Sequence, residues 1–468
     1  MNPTPELKHS EHFLTVEAGQ GHKPRWLWTW IWVALTLTVW GGLVLLSHRG
    51  SPGAILWTNR LFGWVVLLSY LSLWAAWLAP QWTERRRWFG CLMANLTVAV
   101  VWAGLELAAV LNLLNWGVLL DRLTAPSTLN HQYRTTFVLD QELAFRRPPR
   151  AHWSGPAATD LETEWLVHPS KLSPLSFTYD ARGYRNPAEM DRAEVALLGD
   201  SFVEGWFVTD TETTARVLQA ELMKPVANLG VAGYGTMQEL IVLKREATRL
   251  RPSTVVWFFF EGNDFYDDWV YEKTLKSFAS APSASRSPGR PVTQAHSWRQ
   301  RSLAGNFLRL LRAWSDPAIP NRIPYFGNLT TSSANRATIA FADYASVPWS
   351  PWLADRWGRT KATFEEGAGF CHQQGIRLVL CFVPDKFRVY RPFVELPPHS
   401  PCRQWVNWSL PAAFSEFCRT SQIPLIDLTA PLQQFVRDGG VPYPPTDSHW
   451  SPQGHRLVAK LLHEELTP

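Results

Sequence analysis

The 468-residue chain is poor in the residues that mark several function classes. It has five cysteines, with no Cys-x-x-Cys pair and no Cys/His spacing suited to zinc, so neither a dithiol centre nor a zinc site is expected. Only 18% of residues are charged and the net charge is +5, which argues against a nucleic-acid partner. No internal repeat is evident. Between Arg25 and Glu84 there is no acidic residue at all. Tryptophan, by contrast, is abundant: 26 in the chain, thirteen of them in the first 120 residues. Trp favours the lipid–water boundary, so the acid-free, Trp-rich region reads as a membrane part, and the chain is long enough to carry a large soluble core beside it.

Three apolar stretches fit this reading. Residues 26–47 carry no charge and are long enough to span a bilayer. No small-residue cleavage site follows them, so an uncleaved anchor is expected. Residues 61–79 form a second run, ended by Pro80; residues 88–120 form a third, with Glu106 as its one acid. Lys23 and Arg25 on one side, and Arg85, Arg86 and Arg87 after two spans, place the N-terminal tail (1–25) in the cytoplasm and everything beyond Leu120 outside. Glu106 is expected near the outer interface rather than as an intramembrane acid. Cys371, Cys381, Cys402 and Cys418 then lie in an exported region. They allow up to two disulfides in three pairings, or four buried thiols.

Residues 121–190 form a mixed lead-in, in which 177–186 reads as a hairpin or turn. From Glu194 the pattern alternates strand and helix. Strands are expected at 195–198, 226–229, 254–260, 377–383 and 423–428. Helices are expected at 210–223, capped by Asp210, at 236–250, opened by a capping box of Thr236 and Glu239, and at 355–374 and 412–419. A last helix starts after Ser451 with Pro452 at its first position. Residues 265–350 interrupt the rhythm, with a Ser/Pro/Ala-rich loop at 277–295.

Chemistry-bearing residues cluster at the strand ends. The first strand runs into Gly199-Asp200-Ser201. The second is followed by Asn228-Leu229-Gly230-Val231-Ala232-Gly233, the third by Gly262-Asn263-Asp264, and the last by Asp447-Ser448-His449. Acyl transfer needs a hydroxyl, a base beside it, an orienter for the base and donors for the oxyanion. Ser201, His449 and Asp447 supply the first three. The amides of Ser201 and Gly233 with the Asn263 side chain supply the donors, glycine at 233 being expected for close approach to substrate. A 2-1-3-4-5 strand order would make the first and third strands neighbours at the switch point, with Ser201 beside Asn263. Asp200 and Asp264 read as loop-bonding residues, and His455 as a packing or surface histidine.

These four blocks, in this order, resemble those of the SGNH (GDSL-type) hydrolase superfamily over roughly residues 177–264 and 351–466. The resemblance implies a flavodoxin-like three-layer α/β sandwich with a parallel sheet, here preceded by three transmembrane helices. It implies Ser201 as nucleophile, Gly233 and Asn263 in the oxyanion hole, and Asp447 and His449 as the rest of the triad, with no cofactor or metal. One departure stands out. The family's usual Asp-x-x-His is Asp447-x-His449 here, a form similar to that of alginate-type polysaccharide O-acetyltransferases.

The expected protein is a membrane-anchored serine esterase, with its catalytic domain (191–468) outside the membrane, acting on a small acyl ester or an acylated envelope glycan or lipid. Two other readings stay open. One is an O-acyltransferase in which a sugar hydroxyl replaces water, the 265–350 insertion excluding water. The other is an idle SGNH domain that binds glycan or serves assembly, for which the short Asp-x-His spacing speaks. The spans could also dock a membrane acyl-donor protein, with Asn95, Glu106 and Asn112 as the residues to test.

Overall fold

The computed structural model describes residues 136–164, 173–280, 301–306, 325–330, 337–346 and 350–467, together with scattered positions before residue 136. The expected spans at 26–47 and 61–79, with Cys91, Asn95 and Asn112, lie outside the described residues. Among the described residues no helix is long and apolar enough to cross a membrane. In the third stretch, residues 102–110 are helical, and Leu107, Val110 and Leu111 are exposed. There Glu106 Oε1 accepts the amide of Ala304, a contact between this helix and the 265–350 insertion.

Two antiparallel hairpins come first. β1 (Val138–Asp140) pairs with β2 (Ala144–Arg146), and β3 (His152–Ala157) with β4 (Ser173–Thr178). The short helix α1 (Asp160–Glu164) lies between β3 and β4. The core sheet then begins with β5 (Val195–Leu198), followed by α2 (Ser201–Glu204) and α3 (Thr214–Leu222). β6 (Val226–Asn228), α4 (Thr236–Leu250), β7 (Thr254–Phe260) and α5 (Asp264–Ser280) continue it. A small sheet of β8 (Phe326–Leu329), β9 (Thr338–Ala340) and, later, β11 (Val394–Glu395) flanks it. α6 (Pro351–Gln374), β10 (Arg377–Val383), α7 (Lys386–Tyr390), α8 (Leu410–Ser421), β12 (Leu425–Asp427), α9 (Thr429–Arg437) and α10 (Pro452–Leu466) complete the chain.

The five core strands are all parallel, in the order β12-β10-β7-β5-β6. Counted along the chain this is 2-1-3-4-5, with β5 beside β7 and Leu198 opposite Trp257. The strands are apolar on both faces because both faces are covered, as in other all-parallel sheets. Val256, Phe258 and Phe260 of β7 face one core with Leu218 of α3, Leu432 of α9 and Val458 of α10. Val255, Trp257 and Phe259 face the other, with Leu243 of α4, Phe364 of α6 and Phe414 of α8. Alternation along one strand thus divides the sandwich into three layers.

Three local expectations need correction. α3 starts at Thr214 and is capped by Thr213, because Asp210 sits in a preceding 3-10 turn and accepts Arg185 Nε at 2.8 Å instead. α4 is capped by Gly235, with Gln238 reaching back to its amide. The expected box partners have other work: Thr236 donates to Asp268 at 2.7 Å, and Glu239 accepts Trp257 Nε1 at 2.7 Å. α6 starts four residues early, since Ser350 accepts the Leu353 amide and Pro351 fits the first helical position. Cys371, Cys381, Cys402 and Cys418 are free thiols buried in the core.

Candidate active site

β5 delivers its chain end into a one-turn helix. Asp200 caps α2 by accepting the Phe202 amide at 2.9 Å, which fixes Ser201 as the first helical residue. Gly205 ends the turn at φ +85°, a conformation that favours glycine. Gly199 is needed for space: a Cβ there would lie 2.6 Å from Val203. Ser201 is therefore rigidly presented beyond the carboxyl end of the sheet.

Ser201 Oγ lies 2.9 Å from His449 Nε2, and His449 Nδ1 lies 2.9 Å from Asp447 Oδ1. The short Asp-x-His spacing works because one oxygen serves twice. Asp447 Oδ1 also accepts the His449 backbone amide at 2.9 Å, so the carboxylate curls onto its own turn. Its second oxygen accepts the Asp160 amide at 2.8 Å. Burial disfavours charge on Asp447, but the His449 hydrogen bond and charge outweigh it and hold the carboxyl below its ordinary range. Burial likewise disfavours the His449 imidazolium. The Asp447 bond and the charges of Asp447, Asp160 and Asp200 outweigh that, so the imidazole titrates above its ordinary value. Burial pushes Asp200 up to about 6. The arrangement can take a proton from the Ser201 hydroxyl and stabilise the resulting imidazolium.

Gly233 and Asn263 stand at the same end of the sheet, and no hydrogen bond among the described residues ties either to Ser201 or His449. Gly233 has φ +81°, whereas a Cβ there would meet only Phe145 Cζ at 3.6 Å. Its backbone conformation favours glycine, and Gly230 is needed for packing within the protein, since a Cβ there would strike the amide of Glu204. Asn228 braces this loop by donating to Val203 O at 2.8 Å and accepting the Gly230 amide at 3.0 Å. The Asn263 carbonyl opens α5, accepting the amides of Tyr266 and Asp267 at 2.8 Å each. Its side-chain Oδ1 is buried and has no hydrogen-bond partner. Asp264 accepts the Phe260 amide at 2.8 Å, and His455 Nδ1 bonds Thr214, so both serve packing. Burial drives the His455 imidazole down to about 3, leaving it neutral.

Sequence reasoning missed three supports. Glu204, fully buried, accepts Arg147 Nε at 2.9 Å, Tyr133 OH at 2.8 Å, Tyr179 OH at 2.7 Å and the Ala232 amide at 2.7 Å. It thereby ties the lead-in hairpins to the serine helix and to the Gly233 loop. Its signal was an acid between Val203 and Trp206, which demands a buried cation; the sequence does not say which arginine. The other two are Asp160 of α1 and Lys386 of α7, which meet at the Asp447 turn. Asp160, Asp447 and His449 bring ligand atoms within 4.8 Å of one another. Three of the four carboxylate oxygens already accept backbone amides, and the imidazole faces the serine. That donor set is arranged as a proton relay.

A family model described as an SGNH hydrolase-like domain, acetyltransferase AlgX, matches residues 359–468. A probable alginate O-acetylase AlgJ of Pseudomonas aeruginosa is 30% identical over 126 residues, covering 26% of this chain and 29% of that protein. Its counterpart in Pseudomonas fluorescens is 36% identical over 90 residues, covering 19% of this chain and 22% of that one. The chain thus spans under a third of the length of these relatives. A GDSL-like lipase structure from Bacteroides thetaiotaomicron is 13% identical with a TM-score of 0.29, covering 58% of this chain and 86% of that one. Residues 359–468 thus match an SGNH hydrolase-like family model, and parts of the chain are similar to O-acetyltransferase-like members of that superfamily.

Proposed function

We propose that the protein transfers a small acyl group, through Ser201, to a hydroxyl of an exported polysaccharide. The observation that carries this reading is the continuous Asp447–His449–Ser201 hydrogen-bond relay. The SGNH-like domain supports acyl esterase or acyltransferase chemistry, and likeness to O-acetylases favours a sugar hydroxyl over water as acceptor.

In this mechanism His449 Nε2 takes the Ser201 proton as Oγ attacks the acyl carbon. The proton then passes to the leaving alcohol as its bond to the acyl group breaks. The acceptor hydroxyl next attacks the acyl-serine, gives its proton to His449, and Ser201 leaves with that proton restored. The amides of Ser201 and Gly233 and the Asn263 side chain hold the oxyanion.

The test is to supply full-length protein with p-nitrophenyl acetate, with and without a deacetylated uronate polysaccharide. Ester-bound acetyl on the polysaccharide is expected. Release of free acetate alone, at a rate indifferent to the polysaccharide, would return water as the acceptor and make the enzyme an esterase. The three apolar stretches in 26–120 are proposed to anchor the protein with its catalytic part outside the membrane. A reporter joined after Leu120 should be active only outside the cytoplasm; activity inside would overturn that topology.

A further inference from the structure

We propose that Asp160 is a positioning residue for His449, a second carboxylate that completes the shortened Asp447-x-His449 turn. This inference rests on the acyl-transfer reading above. Asp160 comes from α1, far from the other site residues in sequence, yet its contacts with the 447–449 turn are dense. Its amide donates to Asp447 Oδ2 at 2.8 Å, and its Oδ1 accepts the Ser448 amide at 2.9 Å. Its Oδ2 accepts the Ser448 hydroxyl and lies 3.5 Å from His449 Nδ1. Asp160 and the turn therefore bond reciprocally, much as two strands exchange amides.

The turn is also held from behind. Lys386 Nζ, buried, donates to the carbonyls of Pro444 at 2.5 Å, Pro445 at 2.9 Å and Asp447 at 3.0 Å. Three carbonyls around one ammonium fix the path of the chain into the turn. A two-residue spacing leaves little backbone to shape such a path, so outside groups supply the constraint. Asp160 is the one of them that also touches the imidazole.

The charged and titratable groups facing His449 are Asp447 on its own turn, Asp160 of α1, Asp200 at the cap of α2 and His455 of α10. Lys386 of α7 acts on the two carboxylates Asp160 and Asp447. Burial, then the Asp447 charge, raise Asp160 to about 6, so near neutrality it is an anion beside the imidazole. Burial lowers Lys386 to about 7. An anion 3.5 Å from Nδ1 favours the imidazolium, so removing it must lower the pH at which His449 gains its proton. Active enzyme needs neutral His449, so the acid limb of the rate profile follows that value.

The experiment measures kcat and KM for p-nitrophenyl acetate against pH, in the full chain, for wild type, Asp160→Asn, Ser448→Ala and Ser201→Ala. Asparagine keeps an oxygen for the Ser448 amide but removes the charge and replaces the oxygen that accepts the Ser448 hydroxyl by an NH2 group. Asp160→Asn should move the acid limb down by about 1 unit and lower the plateau kcat roughly tenfold, one unit of imidazolium stabilisation being a factor of ten, with KM nearly unchanged. Ser448→Ala keeps both carboxylates but frees Asp160 Oδ2 from the hydroxyl that holds it beside the imidazole, so it should shift the limb in the same direction by less and lower kcat, and serves if the asparagine variant does not fold. A structural role alone would lower yield or melting temperature and leave the limb in place. If Ser201→Ala abolishes turnover while both other variants keep the wild-type limb and kcat, the role of Asp160 is overturned and the serine reading stands. If Ser201→Ala keeps wild-type turnover, both fall.

Discussion

Ser201→Ala is expected to reduce acyl transfer by about 10⁴- to 10⁶-fold, the largest effect of any single change in the site. The hydroxyl is the only group that forms and breaks a bond to the acyl carbon, so nothing in the relay substitutes for it. Residual turnover would come from bound water and the oxyanion donors. Two contrasts make the result specific. His449→Ala should approach the same floor, because the two residues act as one unit and their losses do not add. Asn263→Ala should retain the nucleophile and lose one oxyanion donor, a cost on the order of 100-fold or more. The check is the rate of p-nitrophenol release with the melting temperature measured in parallel. Equal rates for wild type and Ser201→Ala would leave an idle binding domain as the better description.

Arg147→Ala is expected to be the most damaging change away from the chemistry. Arg147 has no solvent exposure, is paired with an equally buried Glu204, and packs over the ring of Tyr133 at 4.0 Å. Removing it leaves Glu204 charged and buried, facing two tyrosine hydroxyls and an amide, which costs about 3–5 kcal/mol. For a domain of this size the melting temperature should fall by roughly 10 °C. Activity should fall as well, since Glu204 holds the amide of Ala232 next to Gly233. Replacing both partners by apolar residues of similar volume, Arg147→Met with Glu204→Leu, should recover only the part of the loss due to the bare charge, because the two tyrosine hydroxyls and the Ala232 amide lose their acceptor. It should not recover the activity, because the Ala232 amide then has no acceptor. A double variant no more stable than Arg147→Ala would show that packing and the orphaned donors, rather than the stranded carboxylate, set the loss.

The sheet was legible because its strands are buried on both faces. Thr254–Phe260 has no polar residue after its first position, and such a run between Pro252 and Gly262 has few other destinies. The first three loop blocks were legible because each sits where an apolar run stops, whereas 447–449 lies beyond α9 and was legible by its residues alone. The lead-in was not. β3 contains Gly155 and Pro156, β4 contains Pro174, and their burial is mixed, so neither shows a clean period of two. With that segment unread, Arg147 and Asp160 could not be paired with Glu204 and Asp447, which lie 57 and 287 residues further along. The positive φ of Gly233 was not legible either, since the sequence does not separate a demand for positive φ from a demand for space.

The two halves of the relay, Ser201 and His449, are 248 residues apart. Contacts of such separation form late, because the entropy of the intervening loop is lost before any bond rewards it. During synthesis the strand and helix that carry Ser201 are complete long before the base exists. At about 5–20 residues per second, the interval is roughly 12–50 s. Throughout it the nascent chain holds an ordinary, unactivated hydroxyl, and only arrival of the last helix cap arms it.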